Sequence, residues 1–424
     1  MEILSIILFF SAIILAFLRK NNIGIIAVLV GVIAIRIFGL TDTDLISGVS
    51  VSLFTTLAGV TLLFSVVTNT GALDLLARKL VSLAGSRIWL LPILIALTGW
   101  VLVAVGPGGV PVLAIIPPLA VSIAKQAGYN PLMMAMIGIS GMLSARFSPL
   151  TPEGNIISSA VSESGFSGFA NPAIMLNTGL TSIIVCIFTF ILFKGYKVKA
   201  PKDMAVVKVK EKFNGKQIAA LLGIAAMLVL IIFCGVNIGM AAFSVAAVLL
   251  LLGVADDAEC IKAMPWNTIL MVLCVGALLG IVDSVGGIDM MTNALAEVMN
   301  SATATPLIGL SASLLSLVSS ALSVVYPTMM PMCADLAAQV GSVNPVALMS
   351  AVAAGGALAG VSPMSTGGAL IMGALGNGLK AEYTKEYQNK VFIQLILFCI
   401  ANVVILLITS VLFYNPLANL LCPV

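Results

Sequence analysis

The sequence predicts an all-α polytopic membrane protein made of two inverted-topology repeats. Of the 424 residues, 60% are hydrophobic and only 9% are charged, whereas soluble domains carry about 25% charged residues. Apolar stretches approaching the roughly 20 residues that a helix needs to cross a bilayer recur along the chain. Their order in the first half returns in the second half, at a spacing of 214–215 residues.

The composition also excludes several classes of function. The chain has no histidine, which rules out histidine-dependent triads, HExxH zinc sites and histidine proton relays. There is no Walker A sequence either, and we therefore expect no enzyme activity and no cofactor. A net charge of +3 is too small for a polyanion partner, so we expect no nucleic-acid binding. The seven scattered cysteines, without a CxxC pair, indicate packing thiols.

The first repeat is predicted to cover residues 1–193. Its predicted elements are spans at 3–18, 23–38 and 49–68, an interfacial segment at 73–83, a re-entrant helical hairpin at about 89–124, a broken helix at about 131–165, and a final span at 172–193. Gly106-Pro107-Gly108-Gly109 interrupts the hairpin, and further prolines follow at 111, 117 and 118. Ser148-Pro149-Leu150-Thr151-Pro152 breaks the next helix.

Residues 194–216 form a predicted cytoplasmic linker. They hold eight of the twenty basic residues, and basic loops of membrane proteins stay on the cytoplasmic side. Glu2 precedes the first span and Arg19-Lys20 follow it, so the amino terminus is predicted to lie outside. The surrounding lipid would be a bacterial-type inner membrane.

The second repeat is predicted to cover residues 217–424, with a hairpin at about 304–341 and a broken helix at about 344–380. Asn344-Pro345 repeats Asn130-Pro131, and Ser362-Pro363 repeats Ser148-Pro149, both at a spacing of 214. Each repeat has about five crossings, an odd number, so the second enters the membrane from the opposite side. Secondary transporters are built in this way.

Four helix interruptions form the candidate site: residues 106–109, 148–155, 319–323 and 362–368. Backbone groups left unpaired in a membrane need a partner, and inverted repeats bring such interruptions together near the midplane. The amino ends of half-helices suit an anion. We expect Thr151 to cap a helix that starts at Pro152, and Ser365 or Thr366 to cap the second resumed helix. Glycines at the breaks let a ligand approach the backbone; the candidates from these breaks are Gly108, Gly109, Ser148, Thr151, Ser362, Ser365 and Thr366.

Two charged residues flank the first broken helix, Arg146 and Glu153. In one interpretation Arg146 binds a substrate carboxylate and Glu153 is a protonatable group beside it. In the other, the two residues pair with each other or cap helix ends. Asp74, Asp283 and Asp289 are expected at the membrane interface.

Several segments resemble MatC-type malonate and dicarboxylate carriers: residues 53–64 (LFTTLAGVTLLF), the Asn69-Thr70-Gly71 turn, the stretch from Gly106 to Pro117, and the breaks at Ser148-Pro149 and Ser362-Pro363. More distantly, the chain is similar to divalent-anion/sodium symporters of the ion transporter superfamily. Those carry Ser-Asn-Thr at each hairpin tip, where this chain has Pro107-Gly108-Gly109 and Ala321-Leu322-Ser323.

The resemblance implies a function and adds site residues. It implies a secondary transporter for a small dicarboxylate, malonate or a C4 acid, with a scaffold that can form a homodimer and a transport domain that moves. Thr151 and Asn155 take a site role from the proline-rich break of the family, and Ser319, Ser320 and Ser323 are the candidate anion ligands at the second tip. Sodium, if it is the coupling ion, would bind near Gly108, Gly109 and Ser323; a proton is the alternative. A carrier or exchanger for another anion, an intramembrane enzyme and a passive channel are the other hypotheses.

Overall fold

The structure is a computed structural model that describes residues 1–19, 21–85, 87–163, 170–198, 211–318, 321–363 and 365–423. Helices and the turns between them make up this part of the chain, and it contains no strand. The predicted all-α fold class is therefore confirmed.

The first half begins with five helices and continues with a hairpin, a broken helix and a final helix. Its helices are α1 (Glu2–Arg19), α2 (Ile23–Phe38), α3 (Asp42–Ser47), α4 (Val51–Asn69), α5 (Ala72–Ser82), α6 (Leu91–Ala104), α7 (Gly109–Ala127), α8 (Pro131–Gly141), α9 (Pro152–Glu163) and α10 (Ala170–Leu192). Short 3₁₀ turns precede α6 at Ile88–Leu90, follow α8 at Ser144–Phe147 and follow α10 at Gly195–Lys197.

The second half repeats this order. Its helices are α11 (Gly215–Cys234), α12 (Ile238–Leu251), α13 (Asp257–Ala263), α14 (Trp266–Ser284), α15 (Gly287–Val298), α16 (Ala304–Val318), α17 (Tyr326–Met329), α18 (Met332–Val340), α19 (Pro345–Leu358), α20 (Thr366–Leu379), α21 (Lys385–Thr409) and α22 (Asn415–Leu421). π-Helical turns lie at Ala321–Val325 and Ser410–Tyr414, and 3₁₀ turns at Ala359–Val361 and Lys380–Glu382.

Matching caps show that the two halves share local structure as well as order. The Asn22 side chain accepts a hydrogen bond from the Gly24 amide at the start of α2, and Asn237 does the same for Gly239 at the start of α12. Asn130 and Asn344 cap the broken helices α8 and α19 in the same way. An asparagine at this position satisfies amides that a helix start leaves free.

Helices of opposite halves pack against each other in a crossed pattern. Helix α4 packs on α12, and the repeat-related α14 packs on α2. Glycines allow the close approach, since a Cβ on Gly59 would lie 2.3 Å from the Gly239 carbonyl oxygen and one on Gly24 would lie 2.8 Å from that of Leu270. At these contacts, helices of both halves thus pack closely against each other.

Four helical segments of the described chain are long and apolar enough to cross a membrane by themselves: Val51–Asn69, Ala170–Leu192, Trp266–Ser284 and the combined segment Lys385–Leu421. Eight further apolar helices are 10–17 residues long. Short apolar helices are typical of hairpins and broken helices that share a span. The chain is therefore an integral membrane protein with several spans.

The hairpins differ from the expectation in one respect. We expected the prolines after the first tip to interrupt the chain, but α7 runs unbroken through Pro117 and Pro118. Pro111 lies in its first turn, where backbone amides have no helical partner, and helices inside a membrane protein tolerate the loss of an internal hydrogen bond when neighbours pack closely. The repeat-related arm of the second hairpin is instead divided at Met330–Pro331.

Candidate functional site

A cavity of about 590 Å³ extends from the ends of α4 and α13 to the tip of the first hairpin. Apolar and hydroxyl side chains of α4, among them Thr61 and Phe64, form one wall. Gly108 and Gly109 at the hairpin tip and Glu153 at the start of α9 form another. Leu322, from the second hairpin, lines the same cavity. The two hairpins and the first helix break therefore meet here, whereas none of the described residues of the second break, 362–368, lines this cavity.

The hairpin tip touches the first helix break because its glycines carry no side chain. Gly108 has a φ of +77°, a backbone conformation that favours glycine. A Cβ there would lie 2.9 Å from Pro152 Cδ and 3.0 Å from Glu153 Oε2. The starts of α7 and α9 thus lie side by side, which places two positive helix ends at the cavity wall.

Arg146 and Glu153 pair with each other across the break. Arg146 Nε lies 3.2 Å from Glu153 Oε1, and the side chains are 18% and 3% exposed. The Gly109 amide also donates to Glu153 Oε1, at 3.4 Å. The structure thus shows the pairing interpretation for these two residues, and it places Glu153, not Arg146, on the wall of the large cavity.

The other predicted site residues of the first break form hydrogen bonds with backbone groups. Thr151 is fully buried; its hydroxyl donates to the carbonyl oxygens of Arg146 and Ser148 and accepts from the Gly154 amide at 2.9 Å. The expected Thr151 cap is confirmed. The Ser148 hydroxyl donates to the Ala104 carbonyl at 3.0 Å, and Asn155 Nδ2 donates to the Thr151 carbonyl at 2.8 Å. Neither side chain lines the large cavity.

In the second break, Ser365 takes the position of Thr151, at a spacing of 214. Ser365 stands directly before α20, as expected, but its hydroxyl makes no cap hydrogen bond. It donates instead to the carbonyl oxygens of Gly360 and Ser362. Ser362 is buried, and Thr366 is the first residue of α20.

The structure describes part of the predicted second tip. Ser319 and Ser320 lie outside the described residues, and of Ser323 only the backbone, within the π-helical turn Ala321–Val325, is described. Among the described residues, no cluster of three or more Cys, Asp and Glu side chains could hold a metal ion.

Sequence reasoning missed the second, repeat-related cavity. It measures about 250 Å³ and is lined by Val272, Gly276, Leu279, Gly280 and Asp283 of α14 and by Tyr326 and Pro331 of the second hairpin, among others. The five α14 positions are those of Leu57, Thr61, Phe64, Ser65 and Thr68 of α4, which line the large cavity, at a spacing of 215. Comparing α4 with α14 position by position would have indicated it.

Asp74 and Ser140 were also not predicted as site residues. Asp74, which we expected at the membrane interface, lines the large cavity and is its second acid beside Glu153. Ser140 lies on α8, with a buried hydroxyl. A serine within the apolar run of α8 was the only available signal for the latter.

This fold and site define a class of protein: a secondary transporter, with paired hairpins, paired broken helices and a cavity on each of two related surfaces. A family model described as "Citrate transporter" (CitMHS) matches residues 13–353. The chain belongs to this family. A search among curated proteins finds no match.

Two solved structures share the fold. The YdaH transporter of Alcanivorax borkumensis superimposes with a TM-score of 0.61 at 15% identity, covering 92% of this chain and 90% of that one. MtrF of Neisseria gonorrhoeae, described as illuminating a class of antimetabolite efflux pumps, gives a TM-score of 0.59 at 12% identity, covering 89% and 84%.

Proposed function

We propose that this transporter carries a small dicarboxylate, malonate or a C4 acid, across a bacterial-type inner membrane, coupled to a cation. The observation that carries the proposal is that the starts of α7 and α9 meet on one wall of the large cavity, next to the Arg146–Glu153 pair. Helix starts favour carboxylates, and Arg146, which does not line this cavity, pairs with Glu153 on its wall. A volume of about 590 Å³ lies within the range of small-molecule sites.

The charges on the cavity wall support coupling to a cation. Its charged lining residues among the described part of the chain are Asp74 and Glu153, both acids. A substrate with two negative charges is repelled by ionised carboxylates at short range. A proton on Glu153 or a bound sodium ion removes this repulsion, so the substrate and the cation favour each other's binding.

The two repeat-related cavities support alternating access. In inverted-repeat transporters, rocking of one bundle opens a fixed site first to one side and then to the other. Here one cavity measures about 590 Å³ and its counterpart about 250 Å³. We propose that the larger one faces the cytoplasm, because it opens beside the α4–α5 and α13–α14 connections. The α5 helix carries Arg78 and Lys79, and such charges favour the cytoplasmic side.

Citrate is the second candidate substrate, since the family is described by it. The cavity accommodates a tricarboxylate as readily as a dicarboxylate. The hypothesis of an exchanger for such anions also stays open to the same experiment.

The test is uptake of labelled malonate, succinate and citrate into proteoliposomes with a sodium gradient, a proton gradient, or neither. We expect saturable uptake of malonate or succinate that one cation gradient increases. Uptake of citrate alone would replace the dicarboxylate by a tricarboxylate. Transport that needs only the same acid inside would make the protein an exchanger. The absence of saturable uptake of all three acids would contradict the proposal.

A matched pair of variants links the uptake to the cavity. Phe64 lines the large cavity and is 1% exposed, whereas Phe54, on the same helix, is 38% exposed and does not line it. We expect Phe64→Leu to change the KM for uptake severalfold and Phe54→Leu to leave it unchanged. Equal effects of the two variants would contradict the position of the site.

A further inference from the structure

A small cavity separates the two helix breaks. Its volume is about 30 Å³, room for about two water molecules. Ser140 and Arg146 line it from the first repeat, and Gly360 and Gly367 line it from the second, with Leu143 and Leu358 beside them. We call this space the notch.

Arg146 lines the notch, and most of the donors of its guanidinium are unused. Only Nε is bound, to Glu153 at 3.2 Å. Within the described part of the chain, no hydrogen-bond acceptor partners Nη1 or Nη2 of this side chain. Arginine presents these two groups as a planar fork that fits both oxygens of one carboxylate.

A second donor in the notch also lacks a partner. Ser140 is 3% exposed, and its hydroxyl oxygen makes no hydrogen bond to any described residue. Buried polar groups in proteins almost always have a partner, because leaving one unpaired costs free energy. A buried hydroxyl without a partner, beside an arginine with unused donors on the same small cavity, indicates that the cavity binds a polar group from outside the protein.

The repeat explains why the notch is open. Gly360 and Gly367 occupy the positions of Arg146 and Glu153 in the second repeat, at a spacing of 214. A Cβ built on Gly360 meets no atom within 4 Å. At Gly360 the second repeat thus contributes free space where the first repeat carries the Arg146 side chain.

Glu153 connects the notch to the large cavity through its ion pair with Arg146. It lines the large cavity, whereas Arg146 lines the notch, so the ion pair lies between the two spaces. By accepting from Nε, Glu153 restricts the guanidinium plane and leaves Nη1 and Nη2 free to donate.

We propose that the notch is a carboxylate subsite, in which Arg146 Nη1 and Nη2 and the Ser140 hydroxyl donate to one carboxylate of the substrate. The subsite rests on the proposed function, since it assigns a place for one end of the transported acid. It names Ser140 and Gly360 as specificity-determining residues, one by its hydroxyl and the other by its missing side chain.

The experiment measures binding to the purified full-length protein by titration calorimetry, with malonate, succinate, citrate and inorganic sulfate as separate ligands. Three variants alter the notch. Arg146→Lys keeps the charge and loses the fork, and we expect the Kd to rise about tenfold. Ser140→Ala removes one hydrogen bond, for an expected rise of about fivefold. Gly360→Val fills the space, and we expect binding to be lost.

Matched controls separate the notch from general effects of substitution. Gly373 lies on α20, is exposed, and would carry a Cβ with no atom within 4 Å, so Gly373→Val is the control for Gly360→Val. The Ser244 hydroxyl bonds only within its own exposed helix turn, so Ser244→Ala is the control for Ser140→Ala. We expect both controls to keep the wild-type Kd. If Gly360→Val does not fold, the isosteric Ser140→Ala still decides.

The outcomes distinguish the notch from the proposed function. Wild-type affinity in both Ser140→Ala and Arg146→Lys, in a protein that binds a dicarboxylate, overturns the notch and leaves the carrier. Binding of only citrate or only sulfate overturns the dicarboxylate assignment, and the Kd of the variants for that anion then decides the notch. A wild-type protein that binds none of the four anions overturns both proposals.

Discussion

The two helix breaks have nearly the same backbone and different charges. Ser148 and Ser362 adopt φ, ψ angles of −58°, 138° and −53°, 141°, and Thr151 and Ser365 bond the equivalent carbonyl oxygens. Yet among the described residues of the two breaks, only the first has an ion pair, and the positions of Arg146 and Glu153 are taken by Gly360 and Gly367 in the second. The second break shows that this backbone forms without buried charge. Because a buried ion pair adds little net stability, the pair in the first break points to function.

The largest expected effect comes from breaking the ion pair on one side. Arg146→Met leaves the carboxylate of Glu153, which is 3% exposed, without its charged partner. Removing one member of a buried pair costs about 3 kcal/mol or more. We expect a clear fall in the apparent melting temperature of the purified protein and the loss of saturable uptake.

The double variant Arg146→Met/Glu153→Gln is the matched control for this prediction. It makes the first break uncharged, like the second, and we expect it to regain most of the lost melting temperature while uptake stays absent. A double variant as unstable as the single one would show that the ion pair is needed for folding. The comparison of the two breaks would then no longer indicate that the pair serves function.

A second prediction concerns the glycine that both breaks share. A Cβ on Gly154 would lie 1.7 Å from the Ser148 carbonyl oxygen, and one on Gly368 would lie 2.2 Å from that of Ser362. Backbone on backbone cannot relax by a side-chain rotation, so each alanine variant should be destabilised by about 1–3 kcal/mol or more. Thermal unfolding of both, with Gly373→Ala as the exposed control, measures this.

Comparable losses in Gly154→Ala and Gly368→Ala would confirm that the two breaks are mechanically alike. A loss in only one of them would contradict the equivalence of their backbones, on which the interpretation of the ion pair depends.

The sequence predicts the order of the repeated elements well, but it predicts the hydrogen-bond partners of individual side chains poorly. Apolar length and the spacing of Asn130-Pro131 and Asn344-Pro345 are properties of the chain itself, so the order of the elements and the positions of the breaks follow from them. The direction of a side chain at a break depends on the backbone path, which no periodic pattern fixes. Ser148 and Asn155, for example, were predicted as ligands, and in the structure each side chain donates a hydrogen bond to a backbone carbonyl.

Comparing the two repeats position by position would have identified part of the candidate site. Arg146 and Glu153 align with Gly360 and Gly367 at the spacing that was already known, and a difference of charge between equivalent positions marks a place where function differs from architecture. The unpartnered hydroxyl of Ser140 could not be found in this way, because a missing hydrogen bond is visible only in three dimensions.

A third prediction compares the two hydroxyls. Thr151 bonds two carbonyl oxygens and also accepts from the Gly154 amide, whereas Ser365 makes no cap hydrogen bond. We expect Thr151→Val to cost about 2 kcal/mol and Ser365→Ala about 1 kcal/mol. Thermal unfolding of the two variants gives the order. A larger loss of stability in Ser365→Ala than in Thr151→Val would show that the Thr151 cap of α9 contributes little to stability.

The smallest expected effect is a gain in stability at Gly360. Its φ does not lie in the left-handed region, and a Cβ there meets no atom within 4 Å. Alanine at such a position restricts the unfolded chain and stabilises the protein by about 0.4–1 kcal/mol. Gly367→Ala is the contrasting variant, because its Cβ would lie 2.5 Å from the Gly360 carbonyl oxygen, and we expect it to be destabilised. If Gly360→Ala lowers the melting temperature, the space beside Gly360 is not open, and the second break does not differ from the first in the way the notch requires.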